Sequence, residues 1–112
     1  MLAIFENYSQ SSFTSPNKDC WPVEVQMNQF FLQNALTEYF KKNEYIEIQY
    51  LEGPREIFAK KDDFEVCFHM INQNPTTIRV LVSVFSETKI GKTRKYMKKV
   101  LADLRELFNV KY

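Results

Sequence analysis

The chain has 112 residues, a formal net charge of +1, 45% hydrophobic residues and 26% charged residues. A chain of this length can form one domain with a core of its own, and the composition is that of a globular protein. The charge excludes a polycation, so any affinity for nucleic acid has to come from a local patch of basic residues.

The first 22 residues show no hydrophobic periodicity, and the segment from Ser9 to Asp19 is rich in Ser, Asn and Pro. We interpret residues 1–22 as an irregular N-terminal arm, followed by a single α+β domain over residues 23–112. Trp21 closes the arm, and because a Trp side chain buries a large area, we expect it to anchor the arm to the domain. A docked partner surface is the alternative.

A first helix is predicted from Asn28 to Lys42. The apolar residues that recur at helical spacing are Leu32, Ala35, Leu36, Tyr39 and Phe40, widened by Met27 and Phe31. This spacing gives the helix one apolar face. Asn28 is of a residue type that caps helix starts. Just before the helix, the alternation of Val23, Val25 and Met27 predicts a short strand.

Strands are predicted where apolar and polar residues alternate, over residues 45–51, 64–70 and 78–85, with turns at 52–55 and 72–75. In the first strand, Ile46, Ile48 and Tyr50 share the face that should be buried. Such alternation indicates an antiparallel sheet with one covered face. Residues 56–59 are ambiguous, because Ile57 and Phe58 fit either a further strand or a loop.

A second helix over residues 93–108 has the clearest pattern. Its apolar stripe consists of Met97, Val100, Leu101, Leu104, Leu107 and Phe108. Thr93 is predicted to cap it. The element order predicts an α+β fold, namely a two-layer α-β-β-β(-β)-α sandwich in which both helices cover one face of an antiparallel meander sheet.

The segment from Lys89 to Lys99 holds six of the fifteen Lys and Arg residues and no acidic residue. Basic residues are disfavoured at the N-terminus of a helix by the macrodipole, and a bound polyanion would offset that cost. This placement points to a polyanion site. A solvated basic surface that binds nothing specific is the alternative.

Catalytic groups are few. Glu65, Cys67 and His69 share one face of a strand, and His69 is the single histidine. An activated nucleophile needs an oriented base within a pocket, which one sheet face does not provide. Zinc needs three or four ligands, and only Cys20 could join this group. We therefore expect neither an enzyme nor a metal or cofactor site.

Three motifs resemble the double-stranded-RNA-binding domain family, whose element order is α-β-β-β-α. In the first helix the motif residues are Leu36, Glu38 and Lys42, and in the following turn they are Gly53 and Pro54. At the start of the second helix they are Gly91, Thr93, Arg94, Lys95 and Lys98. The resemblance spans about residues 32–108.

The resemblance implies a binding module for structured or double-stranded RNA that recognises shape rather than sequence. In the family, the first helix and the Gly-Pro turn contact minor grooves, and the basic helix start lies on the phosphates between them. Carried over to this chain, the RNA-binding residues would be Glu38, Gly53, Pro54, Lys92, Arg94, Lys95 and Lys98.

The alternative is a protein-protein interaction or dimerisation module of the same architecture, for instance one small subunit of a larger complex or a homodimer. The element order is also similar to that of the small subunits of the signal recognition particle Alu domain. A connected exposed patch of Leu51, Leu81 and Phe85 would favour this alternative. A face mixed with polar residues would weaken it.

The sequence also bears on the compartment. Cys20 and Cys67 are too few for a disulfide framework and predict free thiols, although a single bridge stays open. The first ten residues lack the basic and apolar regions of a signal peptide. No apolar run reaches the roughly 18 residues that read as a membrane span. We therefore expect a cytoplasmic protein that does not enter the membrane.

Overall fold

A computed structural model describes residues 7–112 of the chain. Residues 1–6 of the predicted arm lie outside this range. The strands are β1 (Tyr8–Gln10), β2 (Val23–Val25), β3 (Ile46–Leu51), β4 (Glu56–Lys61), β5 (Phe64–Asn74) and β6 (Thr77–Phe85), and the helices are α1 (Gln29–Lys42) and α2 (Thr93–Phe108). Among residues 7–112, no helix has the length and apolar character that crossing a membrane requires.

The six strands form one antiparallel sheet in the order β1-β6-β5-β4-β3, and β2 pairs with another part of β6. Successive hairpins join β3, β4, β5 and β6. The ambiguous residues 56–59 belong to β4, in which Ile57 and Ala59 are buried. The prediction of an α+β fold with an antiparallel sheet is confirmed.

The core lies where apolar side chains of the sheet meet those of the helices. Along β5, Phe64 and Phe68 belong to the buried alternate residues. Phe40 of α1 stacks on Phe68 with ring centroids 4.7 Å apart, and Tyr96 of α2 stacks on Phe64 at 4.2 Å. Both helices therefore reach the same strand through aromatic contacts.

The first strand of the meander departs from its pattern at Ile46. The register shifts between Ile46 and Gln49, and Glu47 has a φ of 53°. This β-bulge adds one residue and turns Ile46 to the other face, where it lies opposite Lys60 and is 61% exposed. The prediction that Ile46 is buried is therefore wrong.

The N-terminal arm is more ordered than its composition predicts. Tyr8–Gln10 form a strand on the edge of the sheet, where Ser9 pairs with Val84. Trp21 anchors the arm, because its ring meets Phe13 and Tyr112 edge-on at 5.5 and 5.6 Å. The indole Nε1 donates a hydrogen bond to the carbonyl of Ser15 at 2.8 Å.

Candidate nucleic-acid interface

The start of α2 is formed differently from the prediction. Thr93 is the first helical residue and is 1% exposed, and its hydroxyl forms a 2.8 Å hydrogen bond with the hydroxyl of Ser9. Thr93 is therefore not the cap. Lys92 occupies that position, and no side chain caps the helix. The helix start is tied to β1 and leaves its first backbone N–H groups without a side-chain acceptor.

A tight turn sets the direction in which α2 leaves the sheet. Ser86 is buried, and its hydroxyl accepts hydrogen bonds from the backbone N–H groups of Thr88 and Lys89. The N–H of Lys92 donates to the carbonyl of Lys89 at 3.1 Å. Gly91 has a φ of 81°, a left-handed conformation that favours glycine.

Four basic residues, which we call the basic cluster, lie around this helix start: Lys92, Arg94, Lys95 and Lys98. The first three are exposed and Lys98 is half-buried. Among residues 7–112, no carboxylate lies within 4.0 Å of their charged groups. Because residues three and four apart on a helix are neighbours, Lys98 adjoins both Arg94 and Lys95.

Lys99, the next basic residue, is used differently. Its Nζ lies 3.3 Å from Oδ2 of Asp103 and 5.9 Å from the centre of the Tyr96 ring. Its charge is thus compensated within the helix. The basic cluster differs from Lys99 in having no such intramolecular partner in the described part of the chain, so its charge is free to attract an anion.

The other residues implied by the family resemblance lie elsewhere. Glu38 is exposed on α1, with Oε2 3.6 Å from Nζ of Lys41. Gly53 and Pro54 lie in the exposed turn between β3 and β4. An added Cβ at Gly53 would meet nothing within 4 Å, so this glycine is not needed for space. The turn residue with a positive φ is Arg55, at 57°.

The structure separates the Gly53–Pro54 turn from the basic cluster. At the end of the sheet where that turn lies, one row of paired residues crosses the four strands and consists of Leu51, Glu56, His69 and Leu81. A second row of paired residues ends at Phe85 in β6. Phe85 is four residues from Leu81, which is about 13 Å along the strand. Thr93 lies beside this second row, through Ser9 and Val84. The turn and the basic cluster are therefore at opposite ends of the strands.

The number of strands explains this separation. With three strands between the helices, the first turn and the start of the second helix fall at the same end of the sheet. Four antiparallel strands, β3 to β6, lie between α1 and α2 in this chain. The additional strand moves the helix start to the other end. The predicted site therefore divides into a basic cluster and a separate turn.

The candidate catalytic group on β5 lies on the face opposite the core. Glu65, Cys67 and His69 are all half-buried there. The pKa of Cys67 is raised to about 11, chiefly because the thiol is buried and secondly because the negative charge of Glu56 is near. The thiol is then protonated at neutral pH, which is the reverse of an activated nucleophile. Among residues 7–112, no group of three or more His, Cys, Asp or Glu is placed to hold a metal ion.

The face of the sheet that carries Glu65, Cys67 and His69 is mixed in character. Leu81 and Phe85 are half-buried, and Leu51 is 43% exposed. His69 and Glu56 stand between Leu81 and Leu51 in one cross-strand row. The three apolar residues therefore do not form a connected patch, and the face does not supply the feature that would favour a protein interface.

One aromatic residue of α1 lies outside the core, contrary to the prediction. Phe31, expected to widen the buried stripe of α1, is 69% exposed, and Phe30 beside it is 75% exposed. The buried residues of α1 are Leu32, Leu36, Tyr39 and Phe40. Phe31 lies one position before Leu32, so its side chain lies about 100° from that of Leu32 around the helix axis. That offset is the signal that could have placed Phe31 outside the core.

Comparison with known proteins gives no assignment for the chain. It matches no protein-family model, no curated protein and no solved structure. The function is therefore inferred from the contacts and charges of this chain itself.

Proposed function

We propose that the chain is a non-enzymatic binding module for structured or double-stranded RNA, which it holds by the phosphate backbone at the start of α2. The observation that carries the proposal is the basic cluster at a helix start that no side chain caps. In the described part of the chain, its four charges have no carboxylate within ion-pair distance.

Phosphate suits this place for two reasons that act together. The backbone N–H groups in the first turn of a helix carry partial positive charge and donate hydrogen bonds to bound anions. The side chains of Lys92, Arg94 and Lys95 are exposed around the same turn. Each phosphate that these groups neutralise releases condensed counterions, which supplies affinity without reading a base.

The proposal includes an arrangement in which both helices cover one face of the sheet. The contacts of Phe40 with Phe68 and of Tyr96 with Phe64 support it, because both partners belong to the same buried set of β5. A helix that rests on the sheet in this way keeps its outer side toward solvent, where Arg94 and Lys95 lie.

The Gly53–Pro54 turn is not needed in this proposal. It lies at the other end of the strands from the basic cluster, and Arg55 there is half-buried. We expect the basic cluster alone to carry most of the affinity. The contact should therefore be shape-directed and dominated by phosphates rather than by base edges.

The test is the affinity for a blunt RNA duplex of about 20 base pairs, long enough for one such module, followed by fluorescence anisotropy at low salt. The wild type is compared with the variant Arg94→Glu/Lys95→Glu/Lys98→Glu. The matched control, Lys18→Glu/Lys60→Glu/Lys111→Glu, has the same change in net charge at exposed positions outside the basic cluster and the family motifs.

We expect the first variant to lose at least about a hundredfold in affinity and the control to lose much less, since only local neutralisation of phosphates is removed. Circular dichroism establishes that all three proteins are folded. Equal losses in both variants would mean that only net charge matters. Absence of binding by the folded wild type would refute the proposal.

A further inference from the structure

Two segments of the chain carry no charged side chains. Residues 25–37 and residues 70–78 contain no Asp, Glu, Lys, Arg or His. Outside these two segments, charged residues recur throughout the domain. Depletion of charged residues together with aromatic enrichment is the compositional signal of an interface core, whereas overall hydrophobicity is not.

The fold brings the two uncharged segments together. Val25 pairs with Ile78, and β2 runs antiparallel to β6 toward the turn between β5 and β6. The chain therefore enters α1 beside that turn. We call this region the uncharged end, and its exposed residues are Gln26, Asn28, Phe30, Phe31, Asn34, Asn72, Gln73, Asn74, Pro75 and Thr76.

Two adjacent aromatic side chains stand out from this region. Phe30 is 75% exposed and Phe31 is 69% exposed. With roughly 200 Å² for each Phe side chain, the pair leaves about 290 Å² of apolar surface in water. A stable interface buries about 800 Å² on each partner, so the pair can form the centre of one while the uncharged polar residues supply the remainder.

We propose that the uncharged end is the interface of a homodimer, with Phe30 and Phe31 at its centre. In a two-fold interface the same patch meets itself, so a charged patch would repel its own copy unless its charges alternate. A patch without charge avoids this cost. It also offers no charge by which to select a different partner.

Two further features agree with association between copies. The net charge of +1 gives little overall repulsion between two chains. Beside the uncharged end, Glu24 and Arg79 form an ion pair with Oε2 and Nη2 2.8 Å apart. A polar border around an apolar centre is the usual arrangement of a protein interface.

This inference does not depend on RNA binding, because the two surfaces are separate. Ile78, at the uncharged end, is six residues along β6 from Val84, beside which Thr93 begins α2. Six residues of a strand span about 20 Å. A dimer joined at the uncharged end therefore leaves both basic clusters accessible.

The experiment is sedimentation velocity on the full chain from about 1 µM to about 1 mM, a range that covers dissociation constants typical of modest interfaces. The wild type is compared with Phe30→Ser/Phe31→Ser. The control is Ile46→Ser/Leu51→Ser, which removes two other exposed apolar residues, 61% and 43% exposed, from β3. Thermal unfolding establishes that each variant folds.

We expect a concentration-dependent dimer for the wild type, a dissociation constant at least about tenfold weaker for the Phe variant, and an unchanged constant for the control, because hot spots concentrate at the centre of an interface. A wild type that stays monomeric up to the highest concentration would overturn the proposal. So would equal weakening in the control.

A second pair of variants tests the two-fold geometry. Asn34 is exposed within the uncharged end. If this end meets its own copy, Asn34→Glu and Asn34→Lys should each weaken self-association, while an equimolar mixture of the two should associate more tightly than either alone. Two variants that associate as the wild type does, with no gain on mixing, would contradict the interface.

Discussion

At the scale of single residues, the two glycines of the chain differ in whether the backbone conformation requires a glycine. Gly91 has a φ of 81° in the turn before α2, where an L-residue is strained. Gly53 is not among the residues with positive φ, and an added Cβ there meets nothing within 4 Å. Only Gly91 is therefore required by the backbone.

We expect Gly91→Ala to lower the free energy of unfolding by about 1 kcal/mol or more, because alanine resists the left-handed conformation. Gly53→Ala should leave it unchanged or raise it by up to about 1 kcal/mol, through the lower entropy of the unfolded chain. Urea unfolding measures both. Equal destabilisation by the two changes would contradict this account of the turn at Gly91.

A second residue-scale prediction concerns the thiol of Cys67. Burial and the charge of Glu56 raise its pKa from 9.0 to about 11. At pH 8 its thiolate fraction is then about a hundredfold below that of an ordinary thiol, so alkylation by iodoacetamide should be slower by a similar factor. Peptide mapping distinguishes Cys67 from Cys20, and the urea-unfolded chain serves as the reference.

The same shift sets a pH dependence of stability. The unfolded chain ionises this thiol at its ordinary pKa, so the contribution to stability is present below pH 9 and is lost as the pH rises toward 11. Rapid alkylation of folded Cys67 at pH 7 would show an activated thiol. It would also reopen the enzymatic interpretation of Glu65, Cys67 and His69.

At the scale of elements, tyrosine hydroxyls join α1 and the start of β3 to α2. Tyr39 donates a hydrogen bond to Oδ2 of Asp103 at 2.7 Å, and the hydroxyls of Tyr45 and Tyr96 are also 2.7 Å apart. Burial, with these hydrogen bonds, raises the pKa of Tyr39 and of Tyr45 well above 10. Their contribution to stability is therefore present below pH 10 and is lost above it.

Tyr39→Phe should lower the free energy of unfolding by about 1–2 kcal/mol, because it removes a hydrogen bond to a charged acceptor. Asp103 keeps its contact with Lys99 at 3.3 Å, which limits the loss. Tyr8→Phe is the control, since among residues 7–112 that hydroxyl donates a hydrogen bond only to Gln10, at 3.3 Å on the exposed side of β1. If the two variants were equally stable, the link between the helices would not contribute.

The predictable elements are those whose pattern is long. The stripe of α2 and the alternation of β5 and β6 each cover several repeats, and burial in the structure follows them up to Leu104 of α2. Leu107, predicted to belong to the same stripe, is 50% exposed in the last turn of α2, so that part of the prediction is wrong. The predictions for Ile46 and Phe31 are wrong because a shift of one residue changes which side of the strand or helix a side chain is on. The bulge at Glu47 turns Ile46 outward, and Phe31 lies one position from the buried stripe of α1. The three residues of β1 are too few for a pattern.

The candidate site was predicted less well than the fold. The basic residues of α2 could be identified because they adjoin a strong stripe. The position of the Gly53–Pro54 turn could not, because it depends on whether residues 56–61 form a strand. One additional antiparallel strand reverses the direction in which the chain enters α2. The sequence around α2 contains no pattern from which this reversal could be predicted.

At the scale of the whole molecule, the two surfaces for which we propose functions lie far apart and differ in charge. The net charge of +1 conceals a basic cluster at the start of α2 and an uncharged end beside the turn between β5 and β6. We propose RNA binding for the first and self-association for the second. A dimer would present two basic clusters, and binding to a long duplex would then gain from bivalency.

The most direct test of the central claim is the salt dependence of duplex RNA binding. The basic cluster is proposed to neutralise phosphates, so the logarithm of the association constant should fall steeply with the logarithm of salt concentration. Charge reversal of Arg94, Lys95 and Lys98 should reduce that slope by about 2–3, roughly one for each lost phosphate contact. An unchanged slope in this variant would contradict the account.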